Sequence, residues 1–490
     1  MKFKYITLLF AITVLLASCT KDFEKINTNP NAPETTSTEF LMSDVLVSTA
    51  YAYQENAVDR RPASAARYLT LVRNTGYDLL DWGPVDWDDI YARLAVNKTF
   101  LETAQKRSEN QYIAISKIMK AFNFGYLTDL YGDIPYSQAL KSKEANLIYP
   151  EYDQQQTIYP DLLRELKEAN NLLKSNVQEI NAKGDVMFKG NALAWRKFAN
   201  SLRLRMLLRI SKNYAPAFTE MQEIVNDKTA FPIFESSADN AEIAYLGNMA
   251  TYSWPGGPLA MIDFDYLKTK VSKELVDRLM ERNDPRLAVW VEPVKSTVGS
   301  TVDFNKYVGV PNAIDAPSAY NGGEDHVSVF SSSFFRKNGG SANPLLKASL
   351  VTYTEQCFIL AEALQKGKIT LNGETAESMY YKAIKESMSS YGVTAAQSYY
   401  NQPLVKYDGT LVQLVTQKWM AMLFKGSEGW FDQRRTGYPA FVTGPLAAGR
   451  GIPKRYIYPD SESAKNKTNY QKAVSAFGTD NQYTLMWYLK

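Results

Sequence analysis

Cys19 has the most telling surroundings of any residue in this chain. It follows Leu16-Ala17-Ser18, and an apolar stretch from Tyr5 to Leu16 precedes these behind Lys2 and Lys4. A positive start, roughly a dozen apolar residues and small residues at a cleavage point make a secretory signal. The stretch is too short for a span, which needs about 20 apolar residues. A cysteine placed directly after the small residues matches the bacterial lipobox. The Cys19 thiol is therefore expected to carry lipid on a chain cut just before it. Each buried methylene of such an anchor adds ~0.8 kcal/mol, and lasting attachment takes more than one acyl chain. Lys21-Asp22 resembles a short surface-export signal.

Residues suited to catalysis are scarce by comparison. The chain has two cysteines, Cys19 and Cys357, and a single histidine, His326. With Cys19 lipidated, Cys357 has no disulfide partner; Tyr353, Leu360 and Leu364 flank it at helical spacing, which makes it a buried structural thiol. One histidine excludes a histidine-cluster zinc site. A serine triad would have to use His326, which sits in a Gly322-Gly323-Glu324-Asp325 loop without a nucleophile elbow. Gly444, Gly449 and Gly451 lack the Lys-Ser/Thr that a phosphate loop requires. A glycosidase needs two carboxylates about 5–9 Å apart, for which Asp81 with Asp86, or Asp263 with Asp265, are the imaginable pairs. No EF-hand pattern is present. A calcium ion held by loop carboxylates stays open, as does a carboxylate pair, but no string of residues here singles out an enzyme.

The composition points to recognition instead: 32 Tyr, 22 Phe and 8 Trp. Aromatic side chains of this kind serve cores and polar-ligand surfaces alike. Net charge is +3, and loss of Lys2 and Lys4 with the signal lowers it by two, to +1; nucleic-acid binding wants a basic patch. The elements that would position any site are mainly helices. Apolar stripes predict helices over Phe40–Gln54, Asp88–Ala104, Gln111–Tyr131, Ile158–Leu173, Ala192–Ile210, Lys273–Glu281, Ser349–Gln365, Ala376–Tyr391 and Leu411–Phe424. Between Phe231 and Asn343 glycine, proline, asparagine and serine rise; loops of that length are uncommon inside a domain and usually functional. The pattern divides the chain into a signal peptide (1–18), a lipidated leash (19–39), helical scaffold (40–230), a loop-rich insertion (231–345), where a ligand would be expected to bind if the loops are functional, more scaffold (346–430) and an irregular C-terminal segment packed on it (431–490). From periodicity alone the scaffold is packed helix pairs, without a clean 34-residue repeat.

Several strings resemble the SusD/RagB family of outer-membrane nutrient-binding lipoproteins, its SusD-like branch in particular. They are Asp129-Leu130-Tyr131-Gly132-Asp133-Ile134-Pro135-Tyr136, Phe198 to Arg205, Gln417-Lys418-Trp419, Glu428 to Pro439, and Ile452 to Tyr456 with Tyr458-Pro459. The same residues have structural meanings: Gly132 and Pro135 stop a helix, Arg203, Arg205 and Arg209 suit salt bridges at a helix seam, and Arg434 and Arg435 suit a helix C-terminus. The resemblance implies a mostly α fold, with tetratricopeptide-like helix pairs forming a scaffold and a loop-rich ligand-binding face. It implies a lipid-anchored protein on the outer membrane, facing the exterior, that captures oligosaccharides, or in some members peptides. The partner it implies is a TonB-dependent, SusC-like barrel, and it implies no cofactor and no catalysis. A glycoside hydrolase and a purely structural adaptor are the competing readings.

Sugar rings stack on exposed aromatics while their hydroxyls pair with fixed polar groups on a concave surface. Two stretches supply both kinds of residue. The first runs from Gly76 to Trp87; the family carries a binding tryptophan here, and Trp82 takes that place because Gly83-Pro84 keeps it off the helix. Asp81, Arg73 and Asn74 lie beside it as candidates for hydroxyl contacts. The second is Tyr252-Ser253-Trp254 with its Pro/Gly run. Tyr320 and Asn321 form a further candidate turn. Exchange of Cys19 for Ala is expected to abolish incorporation of an alkyne-tagged fatty acid, read by gel fluorescence. Undiminished labelling would remove the anchor from Cys19.

Overall fold

The computed structural model of the protein describes residues 37–58, 61–73, 76–175, 178–261, 263–295, 307–335 and 346–490. Cys19, most of the leash and Asn74 lie outside them. Among the described residues no helix is long and apolar enough to cross a membrane.

Among the described residues twelve longer helices carry the architecture: α1 (Thr38–Glu55), α2 (Asp88–Lys106), α3 (Asn110–Tyr131), α4 (Gln155–Lys174), α5 (Ala192–Ile210), α6 (Ala217–Asn226), α7 (Lys273–Glu281), α8 (Tyr353–Gln365), α9 (Ala376–Ser389), α10 (Leu411–Ala421), α11 (Glu428–Thr436) and α12 (Lys467–Phe477). Neighbours in sequence pack as pairs, α2 on α3, α4 on α5 and α8 on α9, with α10 following α8. The fold is mostly α, as expected. Helix α3 is central, touching α1, α2, α4 and α5. Nearly its whole surface is buried, the condition of a helix that is apolar all round. It stops at Gly132, whose φ of 88° suits glycine. A Cβ there would stand 2.6 Å from the Phe477 ring of α12, so the glycine also lets the C-terminal segment close over this end.

The strands are short and pair two by two, all antiparallel: β1 (Leu69–Leu71) with β5 (Thr269–Val271), β2 (Ile134–Pro135) with β3 (Tyr152–Asp153), β4 (Ala241–Ala244) with β8 (Lys347–Val351), and β6 (Val291–Glu292) with β7 (Val329–Phe330). The helix expected over Ser349–Gln365 begins later, because Val351 and its neighbours extend to pair with β4. Thr352, itself extended, then caps α8 by accepting from the Glu355 N–H at 3.3 Å. Residues 431–490 are less irregular than expected, since α11 runs to Thr436 and α12 follows.

Buried charge ties these helices together. Arg205 on α5 donates to Glu355 of α8 at 2.7 Å and stands 3.7 Å from Glu428 of α11. Arg209, one turn on, pairs with Asp129 of α3 and with Glu428. Tyr53 of α1 donates to Glu428 at 2.8 Å, and Tyr159 of α4 to Asp129 at 2.5 Å. A second cluster joins Lys418 to Asp432 at 2.6 Å, and Arg435 to Asp432 at 2.9 Å and Glu362 at 2.7 Å. Arg203 reaches Glu220 at 3.6 Å. The seam arginines are thus structural, as their alternation with leucines suggested. Cys357 is fully buried, and burial pushes its thiol up to about 12, which makes it inert.

Burial alone would raise the Glu362 carboxyl, but Arg435 and Lys366 outweigh it and hold the group at about 2, below its ordinary 4.5. A carboxyl depressed in the folded state contributes stability above its unfolded value and loses it as pH falls toward the folded one. Unfolding free energy from urea titration is therefore expected to fall between about pH 4.5 and 2. Glu362→Gln should lower stability at pH 7 by roughly 2–5 kcal/mol and flatten this part of the profile.

Candidate ligand-binding site

The structure sends the expected site residues to three neighbourhoods. At the end of β1, Arg73 clamps Glu324 through two hydrogen bonds of 2.9 and 3.2 Å, with Lys270 at 3.5 Å from the same carboxylate. Tyr320 is half-buried against Val72, Val310 and Val327. The exposed Asn321 donates to the His326 carbonyl at 2.7 Å, so His326 belongs to a loop turn. Arg73 here holds a loop in place through an ion pair.

In the second neighbourhood Asp81 is exposed and pairs with Arg450 at 2.9 Å, but Trp82 is 4 % exposed. Its indole donates to the Tyr77 carbonyl at 3.2 Å and its backbone N–H to Gln482 at 2.8 Å. The ring packs edge-on against Trp430 and Tyr456, with centroids at 5.5 and 5.8 Å. Trp82, expected to stack on ligand, is instead packed into the core in this structure. Gly83-Pro84 does keep it off the helix, but Trp430 and Tyr456 pack against the ring and leave it almost no exposed surface.

Trp254, the other expected stacking ring, is buried as well. It is 1 % exposed, donates to the Phe334 carbonyl at 2.5 Å and meets Tyr245 and Phe424 edge-on. A Cβ at Gly256 would lie 2.8 Å from the indole nitrogen, so the Pro/Gly run is shaped around a buried anchor. That anchor fixes its neighbour Tyr252, which stays 38 % exposed. The turn below it is closed by Gly247 N–H to the Tyr252 carbonyl at 2.8 Å and Ser253 Oγ to the Met249 carbonyl at 2.7 Å.

Tyr252 looks onto a cleft of about 910 Å³ between α1 and residues 246–260. Ligand clefts typically enclose about 300–1,000 Å³. One wall is a face of α1 bearing Ser43, Asp44, Val47, Ser48 and Tyr51; the other includes Leu246, Thr251, Tyr252 and Pro255. Tyr51 stacks on Tyr245 at 4.5 Å and meets Tyr252 edge-on at 6.4 Å. Burial raises the Tyr51 hydroxyl pKa, and the group stays protonated to donate to the Ala244 carbonyl at 2.9 Å. The cleft therefore offers one aromatic face, hydroxyls and carboxylates beside aliphatic surface, the inventory for a polar ligand with apolar patches. Sequence reasoning missed the α1 wall. Its one signal was the weak stripe of Phe40–Gln54, where Asp44, Ser48 and Ala52 recur every four residues. Among the described residues no group of three His, Cys, Asp or Glu could hold a metal.

A model of the SusD-like family, described as starch-binding and associating with the outer membrane, matches residues 30–459. The chain belongs to this family. Its fold is that of a SusD homologue from Bacteroides fragilis, at 26 % identity and a TM-score of 0.79, over 93 % of this chain and 100 % of that one. An outer membrane protein of Bacteroides vulgatus described with a role in nutrient binding is similar at 27 % identity and 0.79, over the same shares. A chitin-binding protein is similar at 26 % and 0.76, again over 93 % and 100 %. No curated protein matches the chain. As a SusD-like protein it falls among binding proteins of the outer membrane. Trp82→Ala should cost about 3–5 kcal/mol of stability, read by urea denaturation. A stability loss below 1 kcal/mol would mean that the ring is not packed as described.

Proposed function

We propose that this SusD-like chain is a surface lipoprotein, anchored at Cys19, that captures oligosaccharides without altering them and hands them to a TonB-dependent barrel. The observation that carries the reading is the α1 cleft, with Tyr252 as its stacking face and Ser43, Asp44 and Ser48 along the opposite wall. An aromatic stack or a charge-assisted hydrogen bond is worth about 1–3 kcal/mol, so several together reach the ~8 kcal/mol of micromolar binding. Starch and chitin oligosaccharides are the first ligands to try, given the family description and the chitin-binding relative.

A peptide ligand is the second reading. Leu246, 66 % exposed on the cleft rim, and Val47 beside it would receive an aliphatic side chain better than a sugar face. Isothermal titration of the mature chain with glycan and peptide panels is expected to give saturable heat without released reducing ends. Tyr252→Ala should weaken that binding about tenfold or more and leave the melting temperature within a degree or so. Unchanged affinity would take the cleft out of the function, and released reducing ends would mark a glycosidase.

A further inference from the structure

Apart from the α1 cleft, a second cavity of about 140 Å³ lies where β8, the start of α8 and the end of α9 meet. Ten of its eleven lining side chains are polar or charged, Ala421 being the exception. It carries two lysines and one glutamate. Lys347 and Glu242 satisfy each other at 2.5 Å. Lys425 has no carboxylate within ion-pair distance among the described residues. Its amine donates only to Ser349 Oγ, at 3.2 Å, and stands 6.0 Å from the Tyr391 ring. Burial pushes this amine down, Glu242 drawing it up and Lys347 adding to the depression. Nearby, Glu386 is held by the Ser237 hydroxyl.

The other half of the cavity is the first turn of α8. Two of its N–H groups are already used: Tyr353 donates to Asn240 Oδ1 at 2.8 Å, and Glu355 to Thr352 Oγ at 3.3 Å. Thr354 between them is 5 % exposed and lines the cavity. Among the described residues neither its N–H nor its hydroxyl has a hydrogen-bond partner. An unpaired N–H at a helix start, with the dipole behind it, is a donor for anions. The Thr354 hydroxyl, on a residue otherwise packed away from solvent, is free to donate into the cavity. The Lys425 ammonium, which feels Glu242 but makes no contact ion pair among the described residues, adds a third donor to the lining of the same polar space.

We propose that this cavity binds a small oxyanion of the carboxylate or sulfate class, held by the Thr354 N–H and hydroxyl and by the Lys425 ammonium. The anion is either free in the medium or the acidic group of a sugar. Sodium sulfate and sodium glucuronate represent the two sources. Each is titrated against the mature chain at constant ionic strength, chloride being the balancing ion, with melting temperature and calorimetric heat as readouts. The expected result is a saturable rise in melting temperature with at least one of them, accompanied by heat. Sulfate alone assigns the site to free anions, and a preference for glucuronate to acidic sugars. Lys425→Met and Thr354→Val should each raise the dissociation constant at least tenfold; Thr354→Val keeps the side-chain shape and serves if the lysine variant does not fold. No response beyond the chloride control would mean a hydrated cavity only and would overturn the proposal, as would binding that survives in a folded variant.

Discussion

Arg205 and Arg209, one turn apart on α5, are the point on which the scaffold depends. Five helices, α1, α3, α4, α8 and α11, bring acidic or phenolic groups to this network, and no single helix could bury such charges alone. A carboxylate or guanidinium taken out of water loses several kcal/mol of hydration, which only a partner at contact distance restores. Glu428 is held by both arginines and by Tyr53. A shift of α11 or α1 would therefore strand a buried charge. The network acts less as a source of net stability than as a requirement for one arrangement of helices.

That requirement bears directly on the cleft. Helix α1 is pinned on its inner side: Tyr53 by Glu428, Gln54 by the Phe424 carbonyl at 2.7 Å, and Thr49 by Asn123 at 3.0 Å. Its outer side, with Ser43, Asp44, Val47 and Ser48, is then left to face residues 246–260. Those residues are fixed by Trp254, buried beneath them against Phe424, whose carbonyl also receives Gln54. A rigid helix thus forms one wall and an anchored loop the other. Sites held by rigid elements lose less freedom when a ligand binds.

The fold was legible where apolar residues repeat over several turns. Helices α5 and α7 have the bounds their stripes suggest, and α3 and α4 differ by a few residues. Signals failed where pairing partners lie far along the chain. Nothing local tells Ser349 and Leu350 to extend rather than join α8, because the reason is β4, about a hundred residues earlier. The site was hardest to read. Trp82 and Trp254 drew attention as large aromatics among turn residues, yet large rings among turns are also how a loop is anchored. Which role applies depends on what folds back over them, here residues 430–456 and Phe334. The α1 wall mixes Ser43, Asp44, Val47, Ser48 and Tyr51, residues that single out no site until a loop two hundred positions away is laid against them.

The central claim is that ligand is held between α1 and residues 246–260. Hydrogen–deuterium exchange, with and without a saturating oligosaccharide or peptide found by calorimetry, tests it most directly. The account predicts slowed exchange confined to residues 43–55 and 246–260. Slowing at 77–83 and 450–483 instead, with the cleft segments unchanged, would contradict it.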